Sequence, residues 1–345
     1  MFLTGAGLVD MLGEMTPEAL LGWVRLLVLV ACFGGAARLD QLARRVPNSW
    51  WFSWAQPALL CLVVELLLAQ AHWTVWATAS AGVAFASTAL IGRPTLRDIQ
   101  AGSKVDIFVT IWYMISGVGF VMGGLAAIPD LMEYHMLWDS ARGDAYDAAF
   151  LWLRMASIFV VVGFFELAWR FGMLHGGADA KAMMFVAILV PSWAGMQWPV
   201  LGEVLETALP PAIALLIWGG LAFLALPVIM LMRNARAGDA SSFKMAWHAF
   251  RMPLADVPNQ HVWVLEAPVS TPDGETRIET MMRPSRGGRS EDDLAALLAE
   301  LAEAGREKVW VTAKYPLLLF LAPAVIPLAI WGDPVTTILG ALGLI

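Results

Sequence analysis

The chain has 345 residues, 59% of them hydrophobic and only 15% charged, with a mean hydropathy of +0.66. A soluble domain is about half apolar and about a quarter charged, so this balance excludes a disordered, collagenous or disulfide-framework chain and predicts a polytopic membrane protein. A net charge of −7 excludes the basic face of a nucleic-acid binder, and two cysteines, Cys32 and Cys61, both inside apolar runs, supply no zinc ribbon.

Apolar runs close to membrane length predict eight helices, at 17–37, 50–70, 74–92, 107–128, 148–171, 180–199, 210–232 and 315–335. The first is preceded by Asp10 and Glu14, carries Glu18, and has no basic residue ahead of it. It therefore lacks the positive start of a signal peptide and reads as a retained helix with its N-terminus outside. With that start, the segments 38–49, 93–106, 172–179 and 233–314, with their helix ends, hold 19 basic residues, whereas the other side holds only Arg142. This asymmetry places those segments in the cytoplasm.

Residues 233–314 break the apolar pattern, with 11 basic and 12 acidic residues. His261 to Glu266 and Glu275 to Met282 alternate as strands do, around the turn residues Thr271, Pro272, Asp273 and Gly274. Ser290 then reads as a helix cap before Glu291, Asp292 and Asp293, with Leu294, Leu297, Leu298 and Leu301 at helical spacing, and Val309 to Val311 as a third strand. The expected organisation is a seven-helix core over 1–232, a β-β-α-β cytosolic domain over 233–314, and a final helix in 315–345. Arg283, Arg286 and Arg289 read as a solvated loop, with an anionic-lipid contact as the alternative.

Ionisable residues inside the spans are Arg25, Glu65, Arg154 and Glu166. Charges at that depth are costly and mark either internal pairs or an ion path. Arg25, Glu65 and Arg154 fall at one depth, and Glu166 precedes Arg170 by four residues, a favourable helical pair. Two further carboxylates, Asp40 after the first span and Asp179 at the start of the sixth, fall at the cytoplasmic boundary. Brought together, two such groups share one proton, so that one can activate water while the other protonates a scissile carbonyl. Asp98 and Asp106, in the next cytoplasmic loop, fit the topology equally well, and spacing does not choose among them.

A resemblance does choose. Gly176-Gly177-Ala178-Asp179-Ala180-Lys181 resembles the GxGD motif, often GxGDxK, of the type IV prepilin peptidases, especially their archaeal prepilin and preflagellin (archaellin) branch. The run from Asp40 through Arg45-Val46-Pro47-Asn48 resembles the family's first-aspartate segment, and Glu307 to Pro316 resembles the lead into its last helix. The resemblance implies a membrane aspartic endopeptidase that cuts basic leader peptides from pilin-like or archaellin precursors at the cytoplasmic face of the cell membrane. Asp40 and Asp179 are then the catalytic pair, Gly176, Gly177 and Ala178 the close-approach loop, and Lys181, Arg45, Pro47 and Asn48 the flanking motif positions. Ala178 stands where the family's second glycine is usual. Neither metal nor organic cofactor is implied, and without the cysteine-based zinc region of bacterial relatives no methyltransferase activity is expected. Asp292 and Asp293 are candidates to attract a basic leader. The rival readings are a presenilin-type intramembrane protease, which also uses two helix-borne aspartates, and a transporter using Arg25, Glu65, Arg154 and Glu166.

Overall fold

The computed structural model describes residues 16–137, 144–174, 176–194, 196–201, 209–239, 242–270, 276–283 and 291–344. Asp10, Glu14, Arg142, Thr271 to Gly274, Arg286, Arg289 and Ser290 lie outside them. The helices are α1 (Pro17–Ala43), α2 (Asn48–Leu68), α3 (Trp73–Ile91), α4 (Leu96–Gln100), α5 (Lys104–Leu137), α6 (Asp144–Arg170), α7 (Gly177–Leu189), α8 (Pro211–Phe223), α9 (Leu226–Ala237), α10 (Phe243–Ala246), α11 (Glu291–Glu303), α12 (Leu318–Trp331) and α13 (Pro334–Ala341). The strands are β1 (Phe250–Pro253), β2 (Val262–Val264), β3 (Glu266–Ser270), β4 (Thr276–Thr280) and β5 (Lys308–Ala313).

Among the described residues six segments are long and apolar enough to cross a membrane: Pro17–Ala43, Asn48–Leu68, Trp73–Ile91, Lys104–Met132, Ala148–Arg170 and Pro211–Ala237. α12 and α13, bent by 55°, make a seventh if taken as one broken span. This is compatible with a multi-pass membrane protein. The chain divides into two compact units, residues 1–219 with 317–345, and residues 220–316.

In the first unit, Thr16 caps α1 by accepting from the Ala19 N–H at 3.2 Å, and Pro17 occupies the first turn, where its missing N–H goes unneeded. The helix runs past the expected end at 37 because residues 38–43 contain no breaker. It stops at Arg44, which turns left-handed (φ 51°) and returns its N–H to the Asp40 carbonyl at 2.9 Å. Asp40 thus lies in the last turn of α1 instead of after it.

α1 lies against α2 and α12, α3 against α5 and α6, and α7 among α1, α2, α3 and α6. Between apolar helices in lipid the attraction is close packing more than exclusion of water, so small residues set the approach. A methyl group on Gly82 would come within 2.9 Å of Ile158, and one on Gly123 within 2.5 Å of the Trp152 indole nitrogen.

The segment expected to be a helix over 180–199 is different. α7 has 13 residues, about 20 Å at helical rise, against about 30 Å of hydrocarbon. The chain beyond Leu189 is not helical, yet it continues along the bundle. Trp198 donates its indole N–H to the Gly22 carbonyl at 3.0 Å, and the N–H groups of Val200 and Leu201 reach Ala329 and Ile330 at 3.0 and 2.8 Å. Non-helical backbone at such depth is tolerated only where protein covers it, and Val190 and Trp198 are both buried at 1% exposure.

In the second unit, β1-β5-β2 form an antiparallel sheet, and β3-β4 form a separate hairpin. The apolar run from 261 therefore serves two sheets. β2 pairs with β5 and β3 with β4, and the break falls at buried Leu265, whose N–H bonds the Trp310 carbonyl and whose carbonyl accepts from Met281. Val264, Val309, Val311, Leu297 and Leu301 form the core together with Met230 from α9. Asn234, also on α9, is buried and donates to the carbonyls of Ala246 and Ala249, both at 2.7 Å. These contacts put α9 in this unit, so the division falls at Gly219/Gly220 and not near 232.

Candidate active site

Two helix ends make the site. Asp40 comes from the last turn of α1 and is buried at 9% exposure; Asp179 comes from the first turn of α7. The charge of Asp40 acts on Asp179, so these two carboxylates, far apart in sequence, form an interacting pair. Arg44, one turn beyond Asp40, acts on Asp40 with the opposite sign.

Asp179 is held tightly. Gly176 is the N-cap of α7 and offers no side chain of its own, and its carbonyl accepts from the Asp179 and Ala180 N–H groups at 3.1 and 3.3 Å. The carboxylate folds back over Gly176 so closely that a Cβ there would collide with Oδ2 and stand 3.1 Å from Cγ. The Leu318 backbone, in the first turn of α12, interacts with the same carboxylate. Oδ1 is buried and has no hydrogen-bond partner. A native buried oxygen left this way calls for an explanation, because such groups are nearly always satisfied.

The other motif positions converge from both sides. Lys181, half-buried two residues past Asp179, donates to Asn48 Oδ1 at 2.8 Å, joining the first-aspartate segment to the glycine loop. Its ammonium also stands 5.9 Å from the centre of the Trp169 ring. Gly177 lets that ring approach, since a Cβ there would lie 3.1 Å from it. Pro47 is the N-cap of α2, Arg45 is exposed, and Ala178 packs at the edge of the core. The place of the usual second glycine thus carries its Cβ without a clash, and the tight position is Gly176.

Sequence reasoning missed three contributors. Arg44 was visible as a base four residues after an acid. The Leu318 backbone and Trp169 gave no signal, because one acts through its main chain and the other through a neighbouring helix. Asp98 and Asp106 are engaged locally, accepting from Thr95 Oγ1 and Ser103 Oγ within their own helix starts.

The intramembrane charges pair. Arg25, 2% exposed, bonds Glu65, and Glu166 bonds Arg170. Arg154 lines the same cavity of about 150 Å3 as Arg25 and Glu65, with its guanidinium 4.8 Å from the Phe150 ring. Among the described residues no three His, Cys, Asp or Glu side chains gather as metal ligands would.

Compared with known proteins, the chain matches no family model, and no curated protein matches its sequence.

Proposed function

We propose that the protein is a membrane aspartic endopeptidase of the prepilin-peptidase type, with Asp40 and Asp179 as the catalytic pair. One observation carries the reading: a carboxyl with one oxygen sealed and unbonded, under the charge of a second carboxyl brought from another helix. Two carboxylates so placed do not both ionise readily and hold one proton between them. The ionised member takes a proton from water, the water oxygen attacks the peptide carbonyl, and the protonated member gives its proton to the carbonyl oxygen. Collapse of the resulting diol expels the amine, which leaves with a proton from the pair. The shared proton is restored at the end of each cycle.

The tie between Lys181 and Asn48 supports the reading, because it fastens the two aspartate-bearing segments to each other. The basic residues around the aspartate end, including Arg44, Arg45, Arg93 and Arg170, fit a cytoplasmic location of that end. The substrate that fits is a precursor whose cut site lies between a basic leader and an apolar helix, presented at the membrane boundary.

The test is incubation of the detergent-solubilised protein with a prepilin or prearchaellin precursor, read by mass spectrometry. Cleavage just before the apolar segment, lost in Asp40→Asn and in Asp179→Asn with both variants still folded, supports the assignment. Cleavage retained by both variants overturns it, and a cut inside the apolar segment favours a presenilin-type activity.

A further inference from the structure

Glu166, near the C-terminal end of α6, has two cationic partners. Its Oε1 accepts from Arg170 Nε at 2.9 Å, lies 2.7 Å from Arg170 Nη2, and accepts from Arg93 Nη2 at 3.5 Å. The pair with Arg170 follows from helical spacing, whereas Arg93 arrives from the turn after α3, where Gly92 (φ 80°) redirects the chain. One carboxylate balances one guanidinium, so a unit of positive charge is left over. The Glu166 side chain is 11% exposed, but those of Arg93 and Arg170 are 55% and 51% exposed.

The three residues line a groove of about 480 Å3 together with Thr88, Ala89 and Trp169. Beside Arg170 on the same helix, Val160, Phe164, Leu167 and Phe171 are exposed at three- and four-residue spacing, an apolar stripe with no cover among the described residues. Where six of the described segments are apolar helices of membrane length, such a stripe is the surface that lipid chains solvate. A surplus guanidinium at the end of that stripe, with an indole beside it, has the layout of a headgroup site: planar donors for a phosphate, an interfacial ring, then hydrocarbon.

We propose that the groove formed by Arg93 and Arg170 binds the phosphate of an anionic phospholipid whose acyl chains lie along the stripe from Val160 to Phe171. This inference does not rest on the protease reading, in which the two arginines count only toward the orientation of that end and take no part in the chemistry. The experiment is native mass spectrometry of the solubilised full chain titrated with phosphatidylglycerol, phosphatidylcholine or inorganic phosphate. Phosphatidylglycerol is expected to be retained over phosphatidylcholine, with inorganic phosphate unable to displace it. Arg93→Gln keeps the pair of Glu166 with Arg170, and so the fold, and should weaken phosphatidylglycerol binding about fivefold. Glu166→Gln frees both guanidiniums and should tighten it, a change that a merely structural ion pair does not produce. Equal retention of the two lipids, unchanged binding in Arg93→Gln, or displacement by inorganic phosphate overturns the proposal.

Discussion

The two ends of α1 treat charge in opposite ways. Near its start, Arg25 is buried against Glu65, so opposite charges meet and cancel. About 22 Å further along the helix, at Asp40, one acidic group acts on another instead, and Asp179 keeps an oxygen with no partner. Burying opposite charges together makes a folded bundle tolerable, and breaking such a pair is what costs. Holding two acidic groups together does nothing for folding, and this is the feature on which the proposed protease activity rests.

That contrast predicts opposite outcomes for superficially similar substitutions. The largest effect belongs to the aspartates. Asp179→Asn or Asp40→Asn should lower turnover of a precursor by about a thousandfold or more, while the melting temperature stays level or rises, because the cost of holding two acidic groups together has been removed. A melting temperature that falls sharply in both would erase the distinction between the two ends. At the other end, Glu65→Gln should destabilise the unit by about 3–5 kcal/mol, since Arg25 is left buried and unpaired. The double change of Arg25→Met with Glu65→Leu should recover most of that loss, with specific activity intact. Loss of turnover in the well-folded double variant would give this end a functional charge.

Gly176→Ala sharpens the comparison further. The added Cβ collides with the Asp179 carboxylate, and misplacing a reacting group by about 1 Å should cost turnover about a hundredfold, with little loss of stability. Ala178→Gly, where nothing is tight, should change little. Asn48→Ala frees the Lys181 ammonium from its tie, and a drop in turnover of about tenfold or less is expected, read as kcat at saturating precursor.

The smallest effect concerns the second unit. Burial pushes the pKa of His248 below its ordinary value of 6.5, only partly opposed by the Met282 backbone. The unfolded chain then binds a proton more readily than the folded one. This contribution is therefore complete above about pH 6.5 and declines as pH falls below it. Chemical denaturation followed at pH 7.5 and pH 5.5 should show the decline, and His248→Asn should remove that part of it.

Much of the fold was legible because hydropathy is read residue by residue. α1, α2, α3, α5 and α6 lie where their apolar runs predict, and α11 follows its leucine spacing. The segment after Leu189 was not legible, because no charged residue interrupts the chain between Lys181 and Glu203 and proline is tolerated in a spanning helix. The division of the run from His261 into β2 and β3 was not legible because alternation continues through Leu265, and only the anchoring of that residue to Trp310 shows the break. At the site, Asp40, Asp179, Gly176, Lys181 and Asn48 could be named from motif resemblance, but neither Arg44 nor Leu318 was singled out.

The sequence by itself determined which stretches leave water and which side chains are rare enough there to demand a reason. Both follow from the free energy of transferring each residue, which depends on its own composition. Only the tertiary structure decided that α7 stops after 13 residues, that Lys181 meets Asn48 across 133 positions, and that Asp179 has Asp40 for a neighbour. Those outcomes depend on how helices pack against one another, and packing energy belongs to pairs of surfaces that no single stretch of chain contains.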